Sequence, residues 1–173
     1  MKISVITVTY NSAKTIADTL DAVAMQTHTD IEHLVIDGAS KDGTVEMVLS
    51  HANPQIRLIS EPDKGIYDAM NKGFTQATGE VIGFLNSDDF YADAAVLAKV
   101  AKAFQDPAVD ACYGDLVYVT QDNSQVMRYW KSKSFTKGDF AKGWCPAHPT
   151  FYVRKSAIER LGFFDQSYKL GAD

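Results

Sequence analysis

The sequence has no hydrophobic run long enough to cross a membrane. Its longest apolar stretches, residues 3–8 and 81–85, fall far short of the roughly 20 residues a spanning helix needs. Met1-Lys2-Ile3 is not followed by the long apolar region and small-residue cleavage site of a secretory signal, so it reads as the start of a strand. Cysteine is scarce: Cys112 and Cys145 lack CxxC spacing and are too few for a disulfide framework. A reducing, cytoplasmic compartment is the simpler reading. Positive charge is not in excess either; the net charge of −5 excludes general nucleic-acid binding. There is no internal repeat and no low-complexity segment. What remains is 173 residues, 46% hydrophobic and 23% charged, which is ordinary folded-protein usage. One domain of that size buries roughly 70% of its unfolded surface.

The charge that is present is unevenly placed. Residues 128–160 hold eight Lys/Arg against two acids, a local +6, so the rest of the chain carries −11. Such a stretch is either a solvated face or a surface for anionic lipid or a lipid-phosphate acceptor. The second reading places the chain peripherally at the inner face of a membrane.

β-Branched apolar runs alternate with helical periodicity, the pattern of βαβ units and a mostly parallel sheet. Strands are expected over 2–9, 31–36, 56–60 and 81–85, and helices over 13–25, 43–50, 66–77 and 94–105. Ser12 is placed to cap the first helix. Beyond residue 110 the pattern becomes irregular. Residues 111–120 and 125–130 read as an antiparallel hairpin, 151–153 as a strand and 155–161 as a short helix.

Polar clusters follow each of the four parallel strands, at the edge where open α/β sheets bind ligands. They are Thr9-Tyr10-Asn11, the Asp37–Thr44 stretch, Glu61 to Gly65, and Asn86-Ser87-Asp88-Asp89. Tyr10 suits stacking on a planar base, or simple surface packing. Asp37 suits a pyrimidine ring N–H, or an Asx-type network with Ser40 and Thr44. Lys64-Gly65 precedes a helix, so free backbone N–H groups and an ammonium could meet a diphosphate together. Asp63 and Asp68 read as residues that orient this loop, and Asn71 either reaches the site or caps a neighbouring loop. Asp88 and Asp89, adjacent carboxylates after a buried strand, repel unless a cation lies between them and another anion. A hard divalent ion, Mg²⁺ or Mn²⁺, shared with substrate phosphates fits that need. The alternative is an acidic loop capping the helix at Ala94.

These segments together resemble family 2 glycosyltransferases of the GT-A fold, in the manner of bacterial exopolysaccharide or lipopolysaccharide sugar transferases. The resemblance rests on VITVTYN (5–11), VIDGASKDGT (35–44), SEPDKGIYDAMNKG (60–73), GEVIGFLNSDDFY (79–91), HPTFY (148–152) and the closing residues 164–173. It implies an α/β, Rossmann-like nucleotide-diphospho-sugar transferase fold with a central, mostly parallel sheet flanked by helices. It also implies a single domain over 1–173, in which 1–110 bind the nucleotide sugar and 111–173 form an acceptor-side half truncated at its C-terminus.

By that resemblance Tyr10 and Asp37 are the base-recognising pair, Lys64 lies near the diphosphate, and Asp88 is the metal- and diphosphate-binding aspartate. Thr9, Asn11, Gly65, Asp68, Asn71, Asn86 and Ser87 complete the donor site. His148 contacts the diphosphate or the sugar, or is structural; Trp144 lines the acceptor entrance or anchors a core. The first position of the acidic motif, commonly aspartate in the family, is Asn86 here. That departure removes a charge from the metal site, and Asp89 would compensate. Gly171-Ala172-Asp173 resembles the start of the motif that carries the general base, which makes Asp173 the expected base. The implied activity is inverting transfer from a nucleotide sugar, UDP foremost, to a hydroxyl of a glycan or lipid-linked acceptor. Two other readings are a nucleotide-sugar-binding module without transfer activity and a nucleotidyltransferase. The latter would need a Gly-rich, Arg/Lys-containing loop after the first strand, which Thr9 to Ser12 do not supply.

Overall fold

The computed structural model describes residues 1–120 and 122–168. Four βα units lead: β1 (Ile3–Thr9), α1 (Ile16–Ala24), β2 (Ile31–Asp37), α2 (Thr44–Ser50), β3 (Ile56–Ser60), α3 (Ile66–Gln76), β4 (Val81–Phe84) and α4 (Val96–Ala103). Then come β5 (Ala111–Cys112), β6 (Leu116–Val119), β7 (Val126–Trp130), two 3₁₀ turns (Phe140–Lys142 and His148–Thr150), β8 (Tyr152–Arg154) and α5 (Lys155–Leu161). The main sheet runs β3-β2-β1-β4-β8-β5, with β1 to β4 parallel and β8 antiparallel to both neighbours. β6 and β7 pair separately as a hairpin.

Alternation along the parallel strands explains why helices cover both faces. Ile6, Val8, Leu34, Ile36, Ile82 and Phe84 point to one side and pack with Tyr67, Met70 and Phe74 of α3. Ile3, Val5 and Val81 point to the other and meet Val23, Leu97 and Val100 of α1 and α4. Successive side chains of a strand face opposite ways, so a doubly covered sheet needs apolar residues at nearly every position. Gly83 departs from this pattern for a reason of space: the ring of Tyr152 on β8 lies where its Cβ would be. Tyr152 in turn shares a 2.7 Å hydrogen bond with the hydroxyl of Tyr91.

Three local expectations differ. The first helix starts at Ile16, and Ser12 does not cap it through its side chain; the Ser12 hydroxyl pairs with that of Ser87 at 2.8 Å. The helix after β4 starts at Val96, and Asp93 rather than Asp88 or Asp89 accepts from the backbone at its entry, at Ala95. The segment expected as one strand over 111–120 is broken. Ala111 and Cys112 join the main sheet opposite Val153 and Tyr152, while Leu116–Val119 turn away to pair with β7. Asp115 fixes that break by accepting from the Tyr129 hydroxyl and the Ser132 N–H.

One buried group makes stability depend on pH. His33 on β2 is fully buried, bonded through Nε2 to the Thr7 hydroxyl at 2.9 Å. Burial, reinforced by His51, pushes its pKa down to about 3. The folded chain therefore holds His33 neutral while the unfolded chain protonates it near pH 6.5. Stability is lost as pH falls through that window. Between pH 7 and 5 the native chain should lose about 2 kcal/mol more than a His33→Gln variant. Parallel denaturant-unfolding curves across pH for the two proteins would contradict this.

Candidate functional site

All four loops after β1 to β4 emerge at one sheet edge, and they lock to one another. Gly38 donates to the Thr9 carbonyl at 2.9 Å, and Glu61 to the Asp37 carbonyl at 3.0 Å, extending the ladder past the strand ends. Asn11, with φ +52°, donates from its backbone to the Ser40 hydroxyl at 2.8 Å and accepts from Lys41 at 2.9 Å. Asp42 accepts from Ala13 and Thr44, so the first loop is stitched to the entry of α2. The Ser12–Ser87 bond ties in the fourth loop, and Thr19 of α1 holds it from below through the Asp89 carbonyl at 2.8 Å.

Asp37 is fully buried. One carboxylate oxygen accepts from the Ser60 hydroxyl at 2.6 Å and the Ser40 N–H at 3.0 Å, and the other accepts from the Ser40 hydroxyl. This is the Asx network, built with Ser60 in place of the expected Thr44, whose own side chain bonds Asp42. Thr9 is also inside, serving the edge through its carbonyl. Gly38 brings three loops together: a Cβ there would lie 2.5 Å from an Asp63 oxygen and 3.3 Å from the Tyr10 ring.

The backbone N–H groups of Lys64 and Gly65 are not free, contrary to expectation. Lys64 donates to Asp68 at 3.0 Å and Gly65 to Asp63 at 2.8 Å. Gly65, at φ +120°, makes the turn into α3 in a conformation that favours glycine. Asp68 does orient the loop, and the Lys64 N–H holds its carboxyl below the usual carboxylate range, with Lys72 adding to the effect. What Lys64 offers is its ammonium alone.

Asn71 is turned from the edge to the chain's last described segment. Its amide donates to the Phe164 carbonyl at 2.9 Å and accepts from the Phe164 N–H at 3.0 Å. Phe164 packs against Tyr67, Phe74 and Phe84, and Gln166 reaches Asp68 at 3.3 Å. The helix bearing the Lys64 loop thus also fixes the segment leading to Asp173, which lies outside the described residues. On the expectation that Asp173 is the general base of a transferase, removing that clamp in Asn71→Ala should leave nucleotide affinity within about twofold and lower turnover by about tenfold or more, because misplaced reacting groups are costly. Equal losses of both would mean that Asn71 serves the donor instead.

The fourth loop is divided in its duties. Asn86 is half-buried and donates to the Asp89 carboxylate at 3.1 Å. Burial, and then the neighbouring Asp88, raises the Asp89 pKa above that of a free carboxyl. Ser87 is committed to Ser12. Asp88 is exposed, and among the described residues its carboxylate accepts no hydrogen bond. His148 stacks on Phe84 at the end of β4, with ring centroids 5.8 Å apart. Trp144 is half-buried, ringed by Tyr113, Phe135 and Phe140, in the manner of an anchor.

Among the described residues no three His, Cys, Asp or Glu form a metal cage. A divalent ion here would need oxygens from its ligand, and the exposed Asp88 beside Asp89 fits that shared type of coordination. Ser40, Ser60, Asp42 and Gly38 are structural parts of the site that the expected residue set did not include. All four sat in motifs already marked, 35–44 and 60–73, but nothing in the sequence assigned Ser60 to Asp37.

The sequence profile of glycosyl transferase family 2 matches residues 4–162. The chain belongs to that family. A PGL/p-HBAD biosynthesis glycosyltransferase of Mycobacterium bovis is 33% identical over 175 residues, covering 98% of this chain and 66% of its own length. An uncharacterized glycosyltransferase of Nostoc sp. is 36% identical over 172 residues, covering 93% of this chain and 53% of its own. The chain thus spans between half and two thirds of these relatives. A Pyrobaculum calidifontis mannosyltransferase solved with GDP-Man and Mn²⁺ superposes with a TM-score of 0.73 at 25% identity, over 95% of this chain and 47% of its own. Staphylococcus aureus TarS superposes with a TM-score of 0.74 at 22% identity, over 99% and 52%. The fold is GT-A.

Proposed function

We propose that this family 2 chain is the donor-binding and catalytic part of an inverting glycosyltransferase. It would move a sugar from a nucleoside diphosphate, UDP foremost, to a hydroxyl of a glycan or lipid-linked acceptor in cell-surface polysaccharide synthesis. The observation that carries this is the state of the carboxylates at the sheet edge. Asp37, Asp42, Asp63, Asp68 and Asp89 all accept hydrogen bonds from the loops, while Asp88 stands exposed without one among the described residues. The Tyr10 ring, 64% exposed, and the exposed Lys64 ammonium come from neighbouring loops of the same edge. An aromatic face, a cation and an available carboxylate on interlocked loops suit a base, a diphosphate and its counter-ion.

In this reading residues 1–110 hold the donor and 111–173 face the acceptor. Tyr10 stacks on the base, and Asp37 accepts from its ring N–H when the Ser40 hydroxyl turns aside. Mg²⁺ or Mn²⁺ held by Asp88 and the diphosphate oxygens, with Asp89 beside it, would stabilise the leaving group's charge. Lys64 supplies a second positive charge to the diphosphate. Asp173 takes the proton from the acceptor hydroxyl as that oxygen bonds to the anomeric carbon and the diphosphate oxygen departs on the opposite face. The two unpaired cysteines support a cytoplasmic setting. Real-time NMR of the sugar released from an α-linked UDP-hexose in the presence of Mn²⁺ tests the mechanism. A β-configured product is expected, and an α-configured one would overturn single displacement.

A further inference from the structure

We infer that residues 131–144, in the segment between β7 and β8, form a contact surface for an anionic lipid bilayer. Two of its phenylalanines project outward side by side: Phe135 is 50% and Phe140 60% exposed, with ring centroids 5.5 Å apart. Lys131, Lys137 and Lys142 are exposed around them and make no ion pair among the described residues. The loop's one acid is hidden. Asp139 is 4% exposed, bonded to the Thr136 N–H at 2.8 Å and paired with Lys133 at 3.0 Å. Its negative charge is therefore cancelled within the loop. The exposed Asp115, which accepts from the Ser132 N–H at 2.8 Å, sits at the Lys131 end, and the face around Lys137, Lys142 and the two rings is cationic and aromatic.

That combination matches the interface of an acidic membrane, where rings settle at headgroup depth and lysines meet lipid phosphates. A solvated charged face would account for the lysines but not for paired exposed phenylalanines. The loop is also braced rather than loose. Trp144 backs both rings at 6.1 and 5.8 Å, and the Tyr113 hydroxyl donates to the Lys133 carbonyl at 2.9 Å. Tyr113 directly follows β5, which runs parallel to β4, so the patch lies at the same sheet edge as the donor loops. A bilayer seated there would present a lipid-linked acceptor to the proposed site. The contact itself stands on the loop alone and does not depend on the transfer reaction.

Sedimentation of the full chain with vesicles of phosphatidylcholine, or of phosphatidylcholine mixed with phosphatidylglycerol, tests this. Binding to the mixed vesicles only, weakening as salt rises, is expected. The variant K137Q/K142Q should partition about 25-fold less, fivefold for each lysine charge removed. F135S/F140S should partition about tenfold less or weaker still. K137Q/K142Q should keep the native Tm, since both lysines are exposed and unpaired among the described residues. Far-UV circular dichroism checks that F135S/F140S, which loses the ring contacts to Trp144, is folded. Failure to bind mixed vesicles, equal binding to neutral ones, or undiminished binding by either variant would overturn the inference. So would a concentration-dependent dimer in velocity sedimentation that F135S/F140S dissolves, because the patch would then belong to a second copy of the chain.

Discussion

Replacing Asp88 with alanine is expected to make UDP binding in Mn²⁺ indistinguishable from binding in EDTA, and to lower transfer by about 10³-fold or more. The size follows from charge. A diphosphate leaving with an extra negative charge at an acidic edge relies on its counter-ion, and losing several kcal/mol of that stabilisation costs about a thousandfold. The specificity of the effect follows from geometry. The fourth loop is held by the Ser12–Ser87 bond, the Thr19 contact to the Asp89 carbonyl and the Asn86–Asp89 bond, none of which involves the Asp88 side chain. The variant should therefore fold with unchanged Tm. If Mn²⁺-dependent binding survives in Asp88→Ala, the metal is held elsewhere.

Asp173→Asn is expected to do the reverse, sparing donor affinity and suppressing transfer by about 10²–10⁴-fold, the range contributed by a positioned general base. Asp173 lies outside the described residues, yet the chain on its approach is tightly placed. Phe164 is clamped by Asn71 and packed between Tyr67, Phe74 and Phe84. Rate measurements at saturating donor, paired with UDP titration, separate the two roles. A transfer rate in the variant equal to that of the native chain would assign the base to another residue.

The parallel half of the fold was legible because its signals are local. β-Branched runs marked β1 to β4, and Asp, Asn and Gly marked the polar loops that follow them. The ligand edge followed from the shared direction of the parallel strands, each ending in a polar cluster. What the sequence did not disclose depends on distant partners. Asn71 meets Phe164 across 93 residues and Ser12 meets Ser87 across 75, so neither residue's immediate neighbours reveal its bond. Ser60 looks like any strand-end serine, yet it supplies one of the donors that hold Asp37. At Lys64-Gly65 the helix-start signal was right, but the nearby acids that orient the loop also consume its N–H groups. Beyond residue 110 periodicity fades, and the break at Gly114-Asp115 depends on bonds to residues 129 and 132 that no local pattern marks.

The most direct test of the account is calorimetric titration of UDP into the chain with Mn²⁺, repeated in EDTA. Micromolar or tighter binding that collapses when the metal is removed is the predicted result. Binding of equal strength in EDTA, or none to UDP, GDP or dTDP in either condition, would contradict the claim that this sheet edge holds a nucleoside diphosphate through a metal at Asp88.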